Sequence, residues 1–466
     1  MTGKLSIDLA GLKDKFGRKL VLETGDFAEY ARDASEIRVV PPAIIFPDTE
    51  VEVVWIIEYC LARSIPIVFR GAGTGYTGGA VPVPNGLLLS LEHLKKLEVD
   101  ATNKLAFCGP GVITISLMKE AEKFGLFYPP DPASYDESTL GGNVAECAGG
   151  LHCKKYGVTK DYVIGLKCVT IDGELLKTGI YSDDDLFDLS GVLIGSEGLL
   201  AAVTEIAFRL IDVPEYGPTI LAAFSHSEDA AKVVSEITRR GIIPAVMEYM
   251  DEDAVTCSNT YEKSIEIENA AAILLFETSG KGCMKEADEI EEICCRFKSI
   301  HLTRESNRKE AERLWKIRRN LSKAVKSVAS QKISEDVCVP PSRLPELVNF
   351  VFRLNAEYPL RINSYGHAGD GNLHVNFLAD TENSREMSMI DEGIRRLFAK
   401  TLELEGTLTG EHGIGLTKKE FLATEFDSPT VRYMKLIKVV FDREDLLNPG
   451  KMFKAETRSA EPCDTT

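Results

Sequence analysis

The sequence has no run of about 18 uninterrupted apolar residues, the length that a membrane-spanning helix needs, and its first residues have no apolar core with a small-residue cleavage site. We therefore expect a cytoplasmic protein without a membrane span. Basic residues are in deficit, because 54 Lys and Arg face 72 Asp and Glu and leave a formal net charge of −18. A chain of this charge repels nucleic-acid phosphates, so we expect no nucleic-acid partner.

Cysteine pairs with the C-x-x-C spacing of a metal site are also lacking. The eleven cysteines are odd in number, scattered, and never spaced C-x-x-C. Iron–sulfur clusters and structural zinc sites usually need close or paired thiolates, so the sequence predicts reduced thiols and neither kind of site. What is present is the composition of a soluble globular protein, with 466 residues of which 44% are hydrophobic and 27% charged. This length has room for two or three domains.

The pattern of apolar runs and turn signals predicts two regions of mixed structure. In residues 41–210 it predicts strands over 65–69, 86–91, 166–171 and 201–210, and helices over 49–64 and 113–125. Pro214 and Pro218 then mark a boundary. Beyond it, residues 219–250 and 271–305 each have the order strand, helix, strand, which predicts a ferredoxin-like antiparallel sheet with both helices on one face. The polar stretches 304–319 and 323–332 are typical of solvated helix faces.

A glycine-rich loop follows the strand predicted over 65–69. Residues 73–78 match G-x-G-x-x-G, but Pro82 and Pro84 stand where the helix of a Rossmann unit would run, so we reject that interpretation. Five of the nine residues 71–79 are Gly, which lets backbone N–H groups approach an anion closely. The loop is therefore a candidate diphosphate nest, and a glycine-rich turn without a ligand is the alternative.

A second long loop, residues 128–157, is again rich in Gly and small residues, and such loops are usually functional. With it, the sequence resembles the PCMH-type flavin-binding domain of the vanillyl-alcohol oxidase superfamily, in the branch of D-lactate dehydrogenase, the glycolate oxidase D subunit and D-2-hydroxyglutarate dehydrogenase. The resemblance covers about residues 38–453, and the matching segments are 70–79, 138–143, 155–157, 195–198 and 448–450.

This resemblance implies an α+β fold in three parts. We expect a two-subdomain FAD-binding domain over 1–212, a ferredoxin-like cap domain with the metal-binding histidines over 213–410, and a helical C-terminal segment over 411–466 that returns to the FAD domain. Residues 70–79 contain no His, so we expect FAD to be bound without a covalent link. The cofactor-binding residues implied by the matching motifs are Arg70, Gly71, Ala72, Gly73, Thr74, Gly75, Thr77, Gly78, Gly79, Pro130, Asp131, Ser138, Leu140, Gly141, Gly142, Asn143, Ala145, Gly149, Gly157, Gly195, Glu197, Gly198 and Asn448.

Three of the seven histidines fall within residues 367–412, in the patterns H-x-G-D-G-N-x-H and G-E-H-G. Two His and one carboxylate are a divalent-metal ligand set that leaves positions open for substrate, and satisfied structural histidines are the alternative. The resemblance implies that zinc, manganese or iron is held by His367, His374 and Glu411, and that His412 is the catalytic base.

The resemblance also implies that Arg318 holds the substrate carboxylate, and Arg319 is its nearest rival. We expect Asn372 to orient the substrate or a metal ligand. The expected reaction is the oxidation of a D-2-hydroxy acid, with proton removal by His412 and hydride transfer to flavin N5.

D-Lactate is the expected substrate and glycolate is its close competitor, since one methyl group changes binding by only ~1–3 kcal/mol. Relatives that act on 2-hydroxyglutarate have a lysine where this chain has Ser334, and Lys332 is near that position but out of register. A nicotinamide fingerprint and a cluster motif are both missing. We therefore expect an electron-acceptor partner, an electron-transferring flavoprotein or an iron–sulfur subunit, within an oligomer or complex. The alternatives are a non-catalytic flavin-binding subunit and a zinc hydrolase.

Overall fold

The computed structural model describes residues 7–22, 27–183, 187–261, 267–358, 360–379 and 383–454. In this part of the chain no helix combines the length and the hydropathy that a membrane span requires. The ten cysteines within it are free thiols, as the sequence predicts.

The first part of the chain contains eleven strands and six helices within the described ranges up to residue 212. The strands are β1 Leu20–Leu22, β2 Ala43–Ile45, β3 Ile67–Arg70, β4 Leu87–Ser90, β5 Leu97–Asp100, β6 Leu105–Cys108, β7 Leu126–Phe127, β8 Val163–Val169, β9 Leu175–Lys177, β10 Ala202–Arg209 and β11 Ile211–Asp212. The helices are α1 Ala10–Phe16, α2 Glu50–Leu61, α3 Thr114–Glu122, α4 Leu140–Glu146, α5 Cys153–Tyr156 and α6 Ser190–Leu193. All four predicted strands and both predicted helices are present.

Two sheets of this part form two subdomains. The four-stranded sheet has the order β1-β2-β4-β3, in which β2, β4 and β3 run parallel and β1 is antiparallel to β2. The five-stranded sheet has the order β5-β6-β10-β8-β9 and is antiparallel throughout. Helix α2 begins after Thr49, whose side chain accepts a hydrogen bond from the backbone N–H of Glu52, and it buries Val53, Ile56 and Ile57 in the core of the first sheet.

The cap region contains seven strands and seven helices among its described residues. The strands are β12 Tyr216–Phe224, β13 Val246–Asp251, β14 Ala272–Ser279, β15 His301–Glu305, β16 Gln331–Cys338, β17 Arg361–Gly366 and β18 Asn372–Ala379. The helices are α7 Ser227–Arg239, α8 Glu252–Tyr261, α9 Cys283–Arg296, α10 Arg308–Arg319, α11 Leu321–Ser327, α12 Leu344–Glu357 and α13 Ser384–Glu403.

The cap strands form one antiparallel sheet in the order β15-β12-β14-β13-β17-β18-β16. Its first four strands have the ferredoxin-like order that the two strand-helix-strand repeats predict, and α7 and α9 share a core on one face. Strands β16 to β18 extend this sheet beyond β13. The extension carries most of the candidate site.

The polar stretches of the cap match the predicted solvated helix faces only in part, because α10 exposes its charged side chains but also has a buried side, and residues 331 and 332 lie in a strand. Helices α10 and α11 cover the second face of the sheet, where Leu314, Trp315 and Leu321 are buried. Lys332 lies in strand β16 and lines an internal cavity, rather than a solvated helix face. The reason is that a helix rich in charged residues still buries one narrow apolar stripe, which composition alone does not reveal.

The last helices are α14 Leu422–Glu425, whose Glu425 accepts hydrogen bonds from Thr407 and Leu408 of the cap, and α15 Ser428–Phe441. Helix α15 and the segment after it pack against the first part of the chain, where Lys438 donates to the Leu199 carbonyl. Ile67 donates its backbone N–H to Leu446 at 2.7 Å, and Asn448 donates to the Ile67 carbonyl at 2.8 Å. Leu446 and Leu447 are buried in the core of the four-stranded sheet. The chain therefore returns to the domain in which it began.

Candidate active site

The three predicted metal ligands converge in the structure. His367 follows the end of β17 and His374 lies on β18, and the tight turn between them needs Gly371, whose φ is +78° and whose absent Cβ would lie 1.8 Å from the Val339 carbonyl oxygen. Nε2 of His367 and Nε2 of His374 each lie 3.4 Å from Oε1 of Glu411. Two imidazoles and one carboxylate with this spacing fit a divalent transition metal.

Glu248 on β13 is the buried group that orients this cluster. One of its oxygens lies 2.6 Å from Nδ1 of His367, and the other accepts the Nε hydrogen of Arg318 at 2.5 Å. Burial opposes ionisation of the Glu248 carboxyl, but Arg318 and His367 hold its pKa at about 2. With Nδ1 turned to Glu248, His367 has Nε2 available for a metal. The signal for Glu248 in the sequence is a charge in the interior of a strand whose only other charged residue, Asp251, ends it.

Asp336 on β16 holds the loop that carries Glu411 and His412. Its Oδ2 accepts the backbone N–H groups of Gly410, Glu411 and His412 at 2.8, 2.8 and 2.9 Å. Its Oδ1 accepts the side-chain amide of Asn372 at 2.6 Å. Burial opposes ionisation of Asp336, yet His412, Lys418 and His374 hold its pKa well below the usual value. The Asn372 amide nitrogen is therefore engaged by Asp336, a residue of the site that no motif in the sequence marks.

The donor atoms admit a second ligand set, because Asp336, His374, Glu411 and His412 also lie within 4.8 Å of one another. Both oxygens of Asp336 already accept hydrogen bonds, so Asp336 is less suited to bind a metal. His367 and His374 both direct Nε2 at Glu411, so we favour the predicted triad.

Replacing Asp336 with asparagine is expected to cost about 10- to 100-fold in metal affinity and in rate, as other losses of groups that orient ligands do. The NH₂ group of the new asparagine can take the place of either carboxylate oxygen. In one orientation it faces the amide N–H of Asn372, and in the other it faces the backbone N–H groups of loop 410–412. Both partners are donors, so a hydrogen bond is lost in either case. Metal content and flavin reduction rate measure the effect. The control is Asp253→Asn, which removes a carboxylate paired with Arg361 elsewhere in the cap. An unchanged metal affinity in Asp336→Asn would remove this role.

His412 lies between an aromatic ring of the glycine-rich loop and His374, one of the predicted metal ligands. Its ring stacks on Tyr76 at 4.7 Å between centroids and on His374 at 5.2 Å. Its backbone carbonyl accepts the Thr77 hydroxyl at 3.2 Å. Burial lowers the pKa of His412, against the opposing pull of Asp336 and Glu411. A neutral imidazole in this place can accept a proton.

A small cavity opens beside His412, lined among others by Tyr76, Lys332, Ser334 and Glu335. Nζ of Lys332 lies 3.3 Å from the hydroxyl of Tyr365 and 5.7 Å from the ring of Tyr76. Lys332 is thus a cation of the site that the sequence analysis placed elsewhere.

Arg318 is buried, and its guanidinium lies 5.2 Å from the Tyr365 ring. Arg319, its rival in the sequence, is exposed and paired with Glu312. Of the two arginines, only Arg318 lies inside the protein, where it donates to Glu248 of the candidate site.

The first glycine-rich loop contains the left-handed backbone conformations that its glycines allow. Gly73 and Gly78 have φ values of +72° and +85°, and a Cβ on them would lie 2.2 Å from the Arg70 guanidinium and 2.9 Å from Leu416. The Arg70 side chain donates to the carbonyls of Glu29 at 2.8 Å and Arg32 at 2.9 Å. Arg70 therefore stabilises the loop by joining it to the backbone of residues 29 and 32.

The predicted FAD residues divide into two groups by burial. The buried ones have partners within the protein, for instance Asn143 donating to Thr114 at 2.8 Å and Glu197 accepting the Ile414 N–H at 2.8 Å. This group consists of Arg70, Thr77, Gly78, Pro130, Ser138, Leu140, Asn143, Gly149, Glu197 and Asn448. The partly or fully exposed ones are those able to touch a ligand, namely Gly71, Ala72, Gly73, Thr74, Gly75, Gly79, Asp131, Gly141, Gly142, Ala145, Gly157, Gly195 and Gly198.

Two family models match successive parts of the chain. The model of an FAD binding domain matches residues 41–179, and the model of the FAD linked oxidases, C-terminal domain, matches residues 213–452. Among solved structures, p-cresol methylhydroxylase with substrate bound has a TM-score of 0.77 at 14% identity, with 94% of both chains covered. The predicted PCMH-type fold is confirmed.

Several characterised relatives align over most of their length. Glycolate oxidase subunit GlcD of Bacillus subtilis is 38% identical over 435 residues, which cover 92% of this chain and 93% of the relative. D-Lactate dehydrogenase of Archaeoglobus fulgidus is 33% identical over 415 residues, with 88% and 91% covered. D-2-Hydroxyglutarate dehydrogenase of Stutzerimonas stutzeri is 28% identical over 465 residues, with 94% and 96% covered. The chain therefore belongs to the FAD-linked oxidases and is an FAD-dependent oxidoreductase of the type represented by these three relatives.

Proposed function

We propose that this protein is an FAD- and divalent-metal-dependent dehydrogenase that oxidises D-lactate to pyruvate. The observation that carries the proposal is the position of His412, which stacks on Tyr76 of the glycine loop and on His374 of the metal-ligand cluster. His412, the candidate proton acceptor, thus contacts both the candidate metal ligands and the glycine-rich loop 71–79, which we call the flavin loop. The D-lactate dehydrogenase of Archaeoglobus fulgidus, a relative over most of the chain, supports this choice of substrate.

In the reaction, Arg318 would bind the substrate carboxylate and His412 would accept the proton of the hydroxyl group at Nε2. The other ring nitrogen, Nδ1, lies 4.0 Å from Asp336, which stabilises the ring once it is protonated. A divalent ion held by His367, His374 and Glu411 would lower the pKa of the hydroxyl group. FAD, bound without a covalent link, supplies the acceptor for the C2 hydrogen, which leaves as hydride.

A second candidate substrate is D-2-hydroxyglutarate, and the observation that favours it is Lys332. This lysine and Arg318 both lie next to Tyr365, so the site offers two cations where D-lactate has one carboxylate. A dicarboxylate would use both.

The test is anaerobic mixing of the yellow holoprotein with D-lactate, L-lactate, glycolate or D-2-hydroxyglutarate, while the visible flavin band is followed. We expect rapid bleaching by D-lactate and none by L-lactate. Faster bleaching by glycolate or D-2-hydroxyglutarate would replace the proposed substrate. Failure of all four compounds to bleach a protein that holds flavin and metal would favour a non-catalytic flavin-binding subunit.

Lys332→Met is expected to reduce the rate with D-2-hydroxyglutarate by more than tenfold, since a lost hydrogen bond to a charged group costs about 1.5–3 kcal/mol. The rate with D-lactate should change by less than about threefold if Arg318 alone holds its carboxylate. The substrate panel above measures both. The matched control is Lys123→Met, which removes an exposed lysine paired with Glu120. Equal losses with both substrates would instead place Lys332 on the carboxylate that they share.

We further propose that the protein is cytoplasmic and passes its electrons to an electron-transferring flavoprotein or an iron–sulfur subunit. Ten free thiols are typical of a reducing compartment. The sequence has no nicotinamide fingerprint or cluster motif of its own. Reoxidation of the substrate-reduced flavin by a purified electron-transferring flavoprotein, compared with molecular oxygen, tests the acceptor.

A further inference from the structure

One turn of the FAD domain, residues 152–156, forms side-chain contacts with the cap. Nε2 of His152 lies 3.4 Å from Oε1 of Glu277, and the hydroxyls of Tyr156 and Ser279 lie 2.5 Å apart. Nζ of Lys155 donates to the Ser279 carbonyl at 2.6 Å. Glu277 and Ser279 lie at the end of β14, so three side chains of one turn contact one strand end.

His152 lies between two carboxylates that belong to different domains. Its Nδ1 is 2.7 Å from Oδ2 of Asp131, and its backbone N–H donates to Oδ1 of the same residue at 3.1 Å. These two contacts fix the ring with Nδ1 toward Asp131 of the FAD domain. Only Nε2 therefore faces Glu277 of the cap.

This geometry requires a particular charge on the ring. A neutral imidazole has one N–H and one lone pair, so it would direct a lone pair at one of the two carboxylates. The protonated ring donates to both Asp131 and Glu277. Burial of His152 opposes its protonation, but Asp131 and Glu277 together raise its pKa to about 10. Other ionisable groups near the ring are Tyr156 and the ion pair of Lys155 with Glu286.

The cap sheet connects this contact to the candidate active site. Strand β14 pairs with β13, where Val246 lies opposite Glu277 and Glu248 lies opposite Leu275. Glu248 orients His367 and Arg318, so a shift of the β14 end relative to the FAD domain would move the ligand cluster away from the flavin loop. A displacement of 1 Å can cost about 100-fold in rate.

We propose that His152 is a positioning residue, which as an imidazolium offsets the repulsion between Asp131 and Glu277 and so keeps the cap in register with the flavin. The inference rests on the proposed function only for its rate measurement. Loss of His152 should therefore leave two carboxylates that repel each other. Removing one of these carboxylates should then restore the protein.

The experiment compares the holoprotein forms of His152→Gln, Glu277→Gln and the double variant. We expect His152→Gln to slow flavin reduction by about 10- to 100-fold and to lower Tm by about 2 °C or more. Glu277→Gln alone should change the rate by less than about threefold, and adding it to His152→Gln should return both rate and Tm close to the wild type. His93→Gln, which removes a His–Asp pair within the FAD domain alone, is the matched control and should change neither.

A double variant that is no better than His152→Gln, or a His152→Gln protein with wild-type rate and Tm, would overturn the proposal. If His152→Gln does not retain FAD, recovery of the flavin band in the double variant replaces the rate as the readout. If no hydroxy acid reduces the wild-type flavin, the proposed function fails, whereas the Tm values of the same four proteins still decide the role of His152.

Discussion

Replacing His412 with alanine is expected to slow substrate-driven flavin reduction by about 10²- to 10⁴-fold, the range that a lost general base costs, while FAD stays bound. The His412 ring stacks on Tyr76 and His374, but the contacts that fold its loop are made by backbone atoms. Its N–H donates to Asp336 at 2.9 Å and its carbonyl accepts the Thr77 hydroxyl at 3.2 Å. An alanine keeps both contacts, so the substitution removes the proton acceptor and leaves the loop in place.

Stopped-flow bleaching of the flavin band measures the effect, and the 450 nm absorbance of the desalted protein reports FAD retention. His301→Ala is the control, because His301 is exposed on β15, where its Nε2 lies 2.8 Å from the Thr303 hydroxyl. Added imidazole should restore part of the rate in His412→Ala and leave the control unchanged. A rate within a few-fold of the wild type would exclude His412 as the base.

The candidate ligands could be predicted from the sequence because they are encoded locally. His367 and His374 flank a turn that Gly371 makes possible, and the two strands that leave the turn pair with each other. A short segment of this kind brings its ends together whatever the rest of the chain does. Glu411 was predicted from the family resemblance. Its position beside the two histidines depends on Asp336, about 75 residues away in the chain.

The residues that the sequence did not reveal act across strands that are far apart in the chain. Glu248 lies on β13 and Asp336 on β16, at the two sides of the β17–β18 pair that carries the histidines. No periodicity specifies that β16 to β18 extend the ferredoxin-like sheet beyond β13, and this extension is what brings the buried carboxylates to the histidines. Lys332 was missed for the same reason, because its strand resembles a polar helix face in composition.

The flavin residues show another limit of motif reasoning. A motif contains both the residues that touch a ligand and those that shape the loop, since a change in either disturbs the site. Arg70 braces the loop through the Glu29 and Arg32 carbonyls, and Asn448 donates to the Glu197 carbonyl at 2.8 Å. Only the three-dimensional structure separates these supports from the exposed glycines.

Removal of the metal is expected to abolish substrate-driven bleaching while the flavin band remains. The substrate hydroxyl is a very weak acid, and without a cation beside it His412 would have to take a proton from an alcohol of nearly unperturbed pKa. The predicted ligands lie on the cap and on the 410–412 loop, whereas the flavin loop lies in the FAD domain, so a chelator should strip one group without the other. His374→Ala should have the same effect as the chelator, because it removes one of two imidazoles 3.4 Å from Glu411.

The decisive comparison is between metal content and rate in one preparation. Elemental analysis of the FAD-loaded protein should give about one divalent ion per chain, falling with the bleaching rate during dialysis against a chelator. Zinc, manganese or iron(II) added back should restore the wild type but not His374→Ala, and His226→Ala, a substitution outside the cluster, should behave like the wild type. If the metal-free protein is reduced by D-lactate as fast as before, the cluster of His367, His374 and Glu411 is structural. Proton removal by His412 would then have to rely on Arg318 and Lys332 for the charge that lowers the substrate pKa.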